Sequence, residues 1–346
     1  MLEHEKMNIN QSGSQKNIQF CYESINSSCQ KNVYPAAVWV PVYVLLGATI
    51  LLTVLGNLLV IVSIALFRQL HTPTNYLILS LATADLLVGV VVMPPSMVRS
   101  VETCWYFGNV FCRIHTSTDF TLCHASILHL TLISIERYYA VCQPFQYNTK
   151  ISTSTVVPLI IISWTVSSIF GFGMIFLDLN IWGIEDLYRY DYCEGGCFVL
   201  QGKMANSLSY VLAFYILALV ILGLYLKIFH VAQKQASSIQ SRGCVNVYAG
   251  RESTLIRKLE QKATRTLGIV VGVFLSCWMP FFLCNTVNAL FGHETPVLLE
   301  VFGWIGYSNS GWNPVIYGFF YKWFRKPLVC AFWKLTNNTK LQIMVT

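Results

Sequence analysis

The sequence predicts an all-α membrane protein, a seven-transmembrane helix bundle with a short amphipathic helix after the last span. Three observations carry this. Of 346 residues, 55% are hydrophobic and only 11% are charged, whereas roughly a quarter of an average soluble domain is charged. Seven runs are apolar and long enough for a hydrocarbon core of about 30 Å, which takes roughly 20 residues of helix. The charges between those runs are also unevenly shared.

In chain order the runs lie at Ala37–Phe67, Asn75–Val98, Asn109–Val141, Thr155–Phe176, Ser207–Val231, Ala263–Leu290 and Pro296–Phe320. They divide the chain into an extracellular tail (1–36), the bundle (37–320) and an amphipathic helix with a short cytoplasmic tail (321–346). The first segment is polar and shows neither a basic n-region nor a small-residue cleavage site, so the first span is expected to serve as signal-anchor. Sixteen of the 23 Lys and Arg residues, including Arg68, Arg137 and Lys150, share one side with just Glu136, Glu252 and Glu260, while the other side holds seven bases and eleven acids. The positive-inside rule then puts the N-terminus outside a plasma membrane and the C-terminus in the cytoplasm. The basic third inner loop borders two spans, so it reads as facing anionic lipid and a cytoplasmic partner, not nucleic acid.

Outer-side chemistry agrees with this orientation. Asn10-Gln-Ser and Asn26-Ser-Ser are glycosylation sequons on the lumenal side, whereas Asn337-Asn-Thr falls in the cytosol, where it is expected to be silent. Six of the twelve cysteines, Cys21, Cys29, Cys104, Cys112, Cys193 and Cys197, lie in the oxidising compartment. Their spacing does not fix their connectivity. Cys123, Cys277 and Cys284 lie within spans as small packing residues. Cys330, beside Arg325 and Lys326, stands at a palmitoylation position.

Ionisable side chains in hydrocarbon cost at least ~2.5–3.5 kcal/mol at mid-helix, so each is a functional hypothesis. Asp119 stands near the outer end of span three, 18 residues before Arg137. At 3.6 residues per turn that is about five turns, so one helix face joins an outer carboxylate to an inner guanidinium. Cys123 and Ser126 continue the face. With no Lys or Arg expected at comparable depth in the other spans, Asp119 reads as the partner of an external cation. Trp278, Phe281 and Phe282 around Pro280, with Trp304 and Tyr307 in span seven, supply aromatic faces suited to an alkylammonium ion, worth ~0.5–2 kcal/mol each. Tyr307 is also placed to hydrogen-bond Asp119. Asp85 lies deeper, and Ser126, Asn309, Ser310 and Asn313 offer oxygens that suit a hydrated sodium ion. A protonated Asp85 bonded to Asn57 and Asn313 is the alternative. Pro280 and Pro314 are expected bends.

Asn57 in "GNLLV", Asp85 in "LATADLL", Glu136-Arg137-Tyr138, Trp164, "CWMP" and "NPVIY" occur one per span, in order. The chain thereby resembles the rhodopsin-like G protein-coupled receptors. Asp119, seven residues after Cys112, is similar to the amine-binding aspartate of the aminergic branch, and "SVETCWYFG" and "NSGWNPVIYGFFYKWF" resemble the trace amine-associated receptors, whose fingerprint is met from Asn309 to Phe324.

This resemblance implies a receptor for small extracellular amines, with no cofactor beyond an allosteric sodium ion. The implied ligand set is Asp119, Cys123, Val199, Ser209, Tyr210, Trp278, Phe281, Phe282, Trp304 and Tyr307. It implies disulfides Cys112–Cys197 and Cys21–Cys193. Inside, it implies that Arg137 pairs with Glu136 and Glu260 at rest, then turns to a G protein alongside Tyr225 and Tyr317. Phe145 stands where an apolar side chain enters a stimulatory α subunit, so coupling to cyclic AMP production is expected, with arrestin as a further partner. Olfactory use is common in the family. One departure is Leu217 where the family carries a proline after "FYI", which predicts a weaker bulge near Ser209 and Tyr210. Some members that detect diamines carry an aspartate in span five. Here Ser209, Tyr210 and Ala213 stand instead, and a second ammonium would have to find Asp191, Glu194 or Glu300, which favours a monoamine.

Rival classes fit less well. A biogenic-amine neurotransmitter receptor is the alternative within the same plan. A transporter is disfavoured by the odd number of spans without a repeat, an opsin by the absence of a lysine from Pro296–Phe320, and an enzyme by the lack of a catalytic constellation. His124 and His129 read as helix-packing or hydrogen-bonding residues.

Overall fold

The computed structural model describes residues 19–186, 193–197, 202–240, 250–291 and 295–320, with backbone alone for 148, 235–240, 250–265, 267, 319 and 320. Seven long helical segments account for most of it. They are Ala36–Leu66, the second span running from Pro73 to Glu102, Asn109–Cys142, Thr153–Phe176, the fifth span from Lys203 to Gln240, Gly250–Phe291 and Pro296–Phe320. Six are long and apolar enough to cross a membrane by length and composition. The seventh, Pro296–Phe320, is long enough at 25 residues but less apolar, because Asn309, Ser310, Asn313 and Pro314 interrupt it.

Helix ends follow local chemistry. Thr72 caps the second span by accepting from the Asn75 N–H, and Pro73 occupies the first turn, where its missing N–H costs nothing. The same span widens into a π turn at Val88–Val92, with the Met93 N–H reaching back five residues to Val88 O. Pro94 and Pro95 follow at once, so the longer ring relieves the clash a proline makes with the preceding turn. Gly89 within the π turn faces the first span, where an added Cβ would lie 3.0 Å from Thr53 and Val54.

Span five departs from expectation. Despite Leu217, a π turn forms at Val211–Tyr215, where the Ile216 N–H bonds Val211 O. The Tyr215 hydroxyl bonds Phe282 O at 3.2 Å and Thr286 Oγ1 at 2.8 Å, so a cross-span hydrogen bond pins the widened turn instead of a proline ring.

The third span is the hub, packing against spans two, four and five. Two of its buried histidines bond to neighbouring spans. His129 Nδ1–H donates to Ala125 O and its Nε2 meets Ser80 Oγ at 2.8 Å, while Trp164 Nε1 donates to the same Ser80 oxygen at 2.9 Å. His124 bonds Ser167 of span four at 3.1 Å. Both histidines thus bind helices together, as the sequence reading held.

Outside the bundle, Gln19–Phe20 (β1) and Gln30–Lys31 (β2) form an antiparallel hairpin. Two backbone bonds fasten this region to the second outer loop, Cys29 N to Glu194 O at 2.8 Å and Glu194 N to Ser27 O at 2.8 Å, and a third, Trp105 N to Gly195 O at 2.7 Å, fastens that loop to the first outer loop. The disulfides are Cys112–Cys197, Cys29–Cys193 and Cys21–Cys104. The expected Cys21–Cys193 pairing is corrected. Cys21 and Cys29 are neighbours across the hairpin, with Cys21 N donating to Cys29 O, and it is the Ser27–Cys29 edge that lies along Glu194 and so meets Cys193. Gly195, at φ +90, lets the loop pass close to Cys21, where an added Cβ would lie 2.6 Å from the Cys21 Cβ.

Candidate functional site

Asp119 is half-buried near the outer end of span three. Its carboxylate accepts from the Tyr307 hydroxyl at 2.6 Å on Oδ2 and from the Cys123 thiol at 3.3 Å on Oδ1. Charge-assisted bonds of this kind are about twice as strong as neutral ones, so the carboxylate is held in one orientation. Span seven permits this approach because Gly303 and Gly306, three residues apart, leave a groove for span six. A Cβ at Gly306 would lie 2.8 Å from the Trp278 ring, and one at Gly303 would touch Phe281 at 3.8 Å. Trp278 is therefore seated against the residue preceding Tyr307.

The rings form a wall across three spans. Trp304 meets Tyr307 edge to face at 5.6 Å, Trp278 meets Phe281 at 6.2 Å and Phe282 at 5.9 Å, and Phe282 stacks on Phe214 at 4.0 Å and meets Tyr210 at 5.3 Å. Ser209 takes a different direction, bonding Met174 Sδ of span four at 3.8 Å. Val199 lies outside the described residues.

A second correction concerns charge. A basic residue does stand near Asp119: Arg99, on the last turn of the second span, lies within electrostatic reach of Asp119 and Tyr307 and pairs with Glu300 at 3.6 Å. It fell outside the expected span because that helix runs on to Glu102. The available signal was its position, one residue past the expected end of the span at Val98.

Asp85 is fully buried and accepts three bonds, from Ser126 Oγ at 3.0 Å and Ser310 Oγ at 2.8 Å on Oδ1, and from Asn313 Nδ2 at 2.8 Å on Oδ2. Asn57 does not reach it. Its Nδ2 donates instead to Thr53 O and Ser310 O, each at 2.9 Å, which ties span one to span seven one turn before Pro314. Asn309 is buried in the same layer, and no hydrogen bond joins it to Asp85. A carboxylate with two hydroxyl oxygens is a donor set that fits sodium, so Asp85, Ser126 and Ser310 would hold the ion, which would supply a neutralising charge.

At the inner end, Arg137 Nε and Nη2 donate to the neighbouring Glu136 carboxylate at 2.5 and 2.7 Å, and Thr74 and Tyr147 also donate to Glu136, at 2.8 and 2.7 Å. Tyr147 belongs to the short helix Pro144–Lys150, where burial and then the Glu136 charge push its phenol up from the ordinary value. Phe145 on that helix is 98% exposed, an apolar ring offered to the cytoplasm. Tyr317 is buried in span seven, and Tyr225 lies over Gly268 of span six, so closely that an added Cβ would meet its hydroxyl oxygen. The Glu260 side chain, Cys330 and Asn10 lie outside the described residues, while Asn26 is exposed in the turn between β1 and β2.

A helix bundle that carries an outer anionic site and an inner arginine lock on one helix defines a seven-helix receptor, and comparison with known proteins narrows the class. The model of the 7 transmembrane receptor (rhodopsin family) matches residues 56–317. Trace amine-associated receptor 1 of Macaca mulatta is 50% identical over 313 residues, covering 89% of this chain and 92% of that protein. Trace amine-associated receptor 4 of Mus musculus is 46% identical over 325 residues, 93% of each, and trace amine-associated receptor 13c of Danio rerio is 44% identical over 314 residues, 90% and 91%. The chain belongs to the rhodopsin family of seven-transmembrane receptors, within its trace amine-associated receptors.

Proposed function

We propose that this receptor lies in the plasma membrane with its N-terminus outside, binds a small extracellular amine at Asp119, and signals through a stimulatory or olfactory G protein α subunit to raise cyclic AMP. Arrestin engages the same inner face. The observation that carries the reading is the Asp119 carboxylate, held by Tyr307 and Cys123 beside the Trp278–Phe281–Phe282 wall on the helix that ends in the Glu136–Arg137 pair. An ammonium ion pairs with that carboxylate while its carbon skeleton packs on the rings. The names of the relatives, trace amine-associated receptors, agree with this ligand class.

Activation is then a population shift. An amine that contacts Trp278 favours the state in which span six opens inside, by no more than its differential affinity for the two states. Asp85, with Ser126 and Ser310, would hold a sodium ion whose neutralising charge would favour the closed state. Glu136 releases Arg137 as the inner face opens, and Arg137, Tyr225 and Tyr317 meet the G protein.

The test is a cyclic AMP assay on expressing cells with primary, tertiary and polyamines. Asp119→Ala is expected to abolish the amine response with surface expression intact, and a normal response would overturn the binding model. Arg137→Ala is expected to spare amine binding while lowering G protein activation.

A further inference from the structure

Glu300, in the second turn of span seven, was the described acid best placed at the rim to receive a second ammonium group, but its carboxylate is already engaged. Arg99 and Ser100 are consecutive on the last turns of the second span, and both reach it: Arg99 Nη2 lies 3.6 Å from Glu300 Oε1, and Ser100 Oγ donates to the same oxygen. Ser100 Oγ in turn accepts from Trp304 Nε1 at 2.9 Å. Trp304 stands one turn after Glu300 and packs edge to face on Tyr307, whose hydroxyl holds Asp119. An unbroken series of contacts thus connects the Arg99–Glu300 pair to the amine-binding carboxylate.

The pair is not sealed away. The side chains of Arg99 and Glu300 keep 24% and 38% of their surface exposed.

We propose that Arg99 is a specificity-determining residue: by occupying Glu300 it leaves Asp119 as the free anionic subsite and restricts the site to ligands bearing a single ammonium group. This rests on the reading that Asp119 receives an ammonium. The charge count decides it. Asp119, Glu300 and Arg99 together carry one net negative charge, which one ammonium neutralises. A second ammonium would have to displace the guanidinium from Glu300 or lie beside it, and like charges brought together at a partly desolvated site are strongly unfavourable. Discrimination therefore comes from a repulsive element as well as from the attraction at Asp119.

The experiment compares linear α,ω-diaminoalkanes with n-alkylamines of matching chain length in a cyclic AMP assay, with surface density measured for every variant. Arg99→Ala and Arg99→Gln are expected to raise the potency of the diamine relative to the monoamine by about tenfold or more, the scale of one charge-assisted contact. The double variant Arg99→Ala/Glu300→Gln is expected to lose that gain. Glu300→Gln alone leaves the guanidinium unpaired and lowers the potency of both amines, the diamine more. An unchanged ratio in the Arg99 variants, a gain that survives the double variant, or unaltered potencies in Glu300→Gln would each overturn the proposal. A native receptor silent to every amine defeats the amine reading itself, whereas Asp119-dependent responses with an unchanged ratio defeat the role of Arg99 alone.

Discussion

The Tyr307 hydroxyl donates to Asp119 Oδ2 at 2.6 Å, joining span seven to span three beside the Trp278 ring. It also fixes which carboxylate oxygen remains available, since Cys123 takes a share of Oδ1. Tyr307→Phe keeps the ring and removes the donor. Hydrogen bonds to charged groups are worth ~1.5–3 kcal/mol, so amine potency is expected to fall by about ten- to a hundredfold while surface expression holds. Concentration–response curves for the native and variant receptors check this, and unchanged potency would show that Asp119 needs no such orientation.

Gly268 bears on the inner switch. A Cβ there would strike the Tyr225 phenol, which rests on the glycine in the state where Glu136 holds Arg137. Overpacking of this kind costs ~1–3 kcal/mol, and the cost falls on the resting arrangement. Gly268→Ala is therefore expected to shift the equilibrium toward the open state by about five- to a hundredfold, read as raised cyclic AMP without ligand. Basal signalling at or below the native level would show that Tyr225 moves aside freely.

Sodium dependence tests the deep carboxylate. With Asp85, Ser126 and Ser310 as the oxygen set, exchange of sodium for potassium at constant ionic strength is expected to raise amine affinity in the native receptor. Asp85→Asn removes the charge that holds the ion, so its affinity should no longer respond to the exchange. A variant that keeps the sodium response would place the ion elsewhere.

The disulfide pattern predicts a pattern of additivity. Each bond is worth ~2–5 kcal/mol in a small extracellular unit, and losing either end of one bond loses all of it. Cys29→Ser/Cys193→Ser should thus be no worse than either single variant, whereas Cys21→Ser/Cys29→Ser, which breaks two bonds, should be worse than each. Thermal stability of the detergent-solubilised receptor measures both. Non-additivity between Cys21 and Cys193 instead would restore the pairing expected from the family.

Much of this architecture is legible from composition alone, because hydrocarbon thickness imposes length and apolarity on each span. Asp119 and Asp85 were legible for the related reason that a carboxylate in hydrocarbon needs a partner. What escaped reading depended on contacts that only folding supplies. Cys21 and Cys29 become equivalent candidates once a hairpin places them side by side, and a backbone bond from Cys29 to Glu194 then separates them. Arg99 lay one residue beyond the expected end of its span, and Leu217 gave no sign that Tyr215 would hold a π turn through Phe282 and Thr286.

The reduced apolarity of the last helix has a consequence for biogenesis. Pro296–Phe320 must enter the bilayer carrying Asn309, Ser310 and Asn313, groups that an isolated helix would leave without partners in lipid. Partners for two of them wait on helices made earlier: Asp85 for the Ser310 and Asn313 side chains, with Asn57 donating to the Ser310 carbonyl. The final helix is therefore expected to complete its insertion by docking onto a polar seam that the earlier helices supply. Substitutions at Asp85 or Asn57 are then expected to divide between two fates, altered signalling at the surface and retention of unfinished chains in the endoplasmic reticulum.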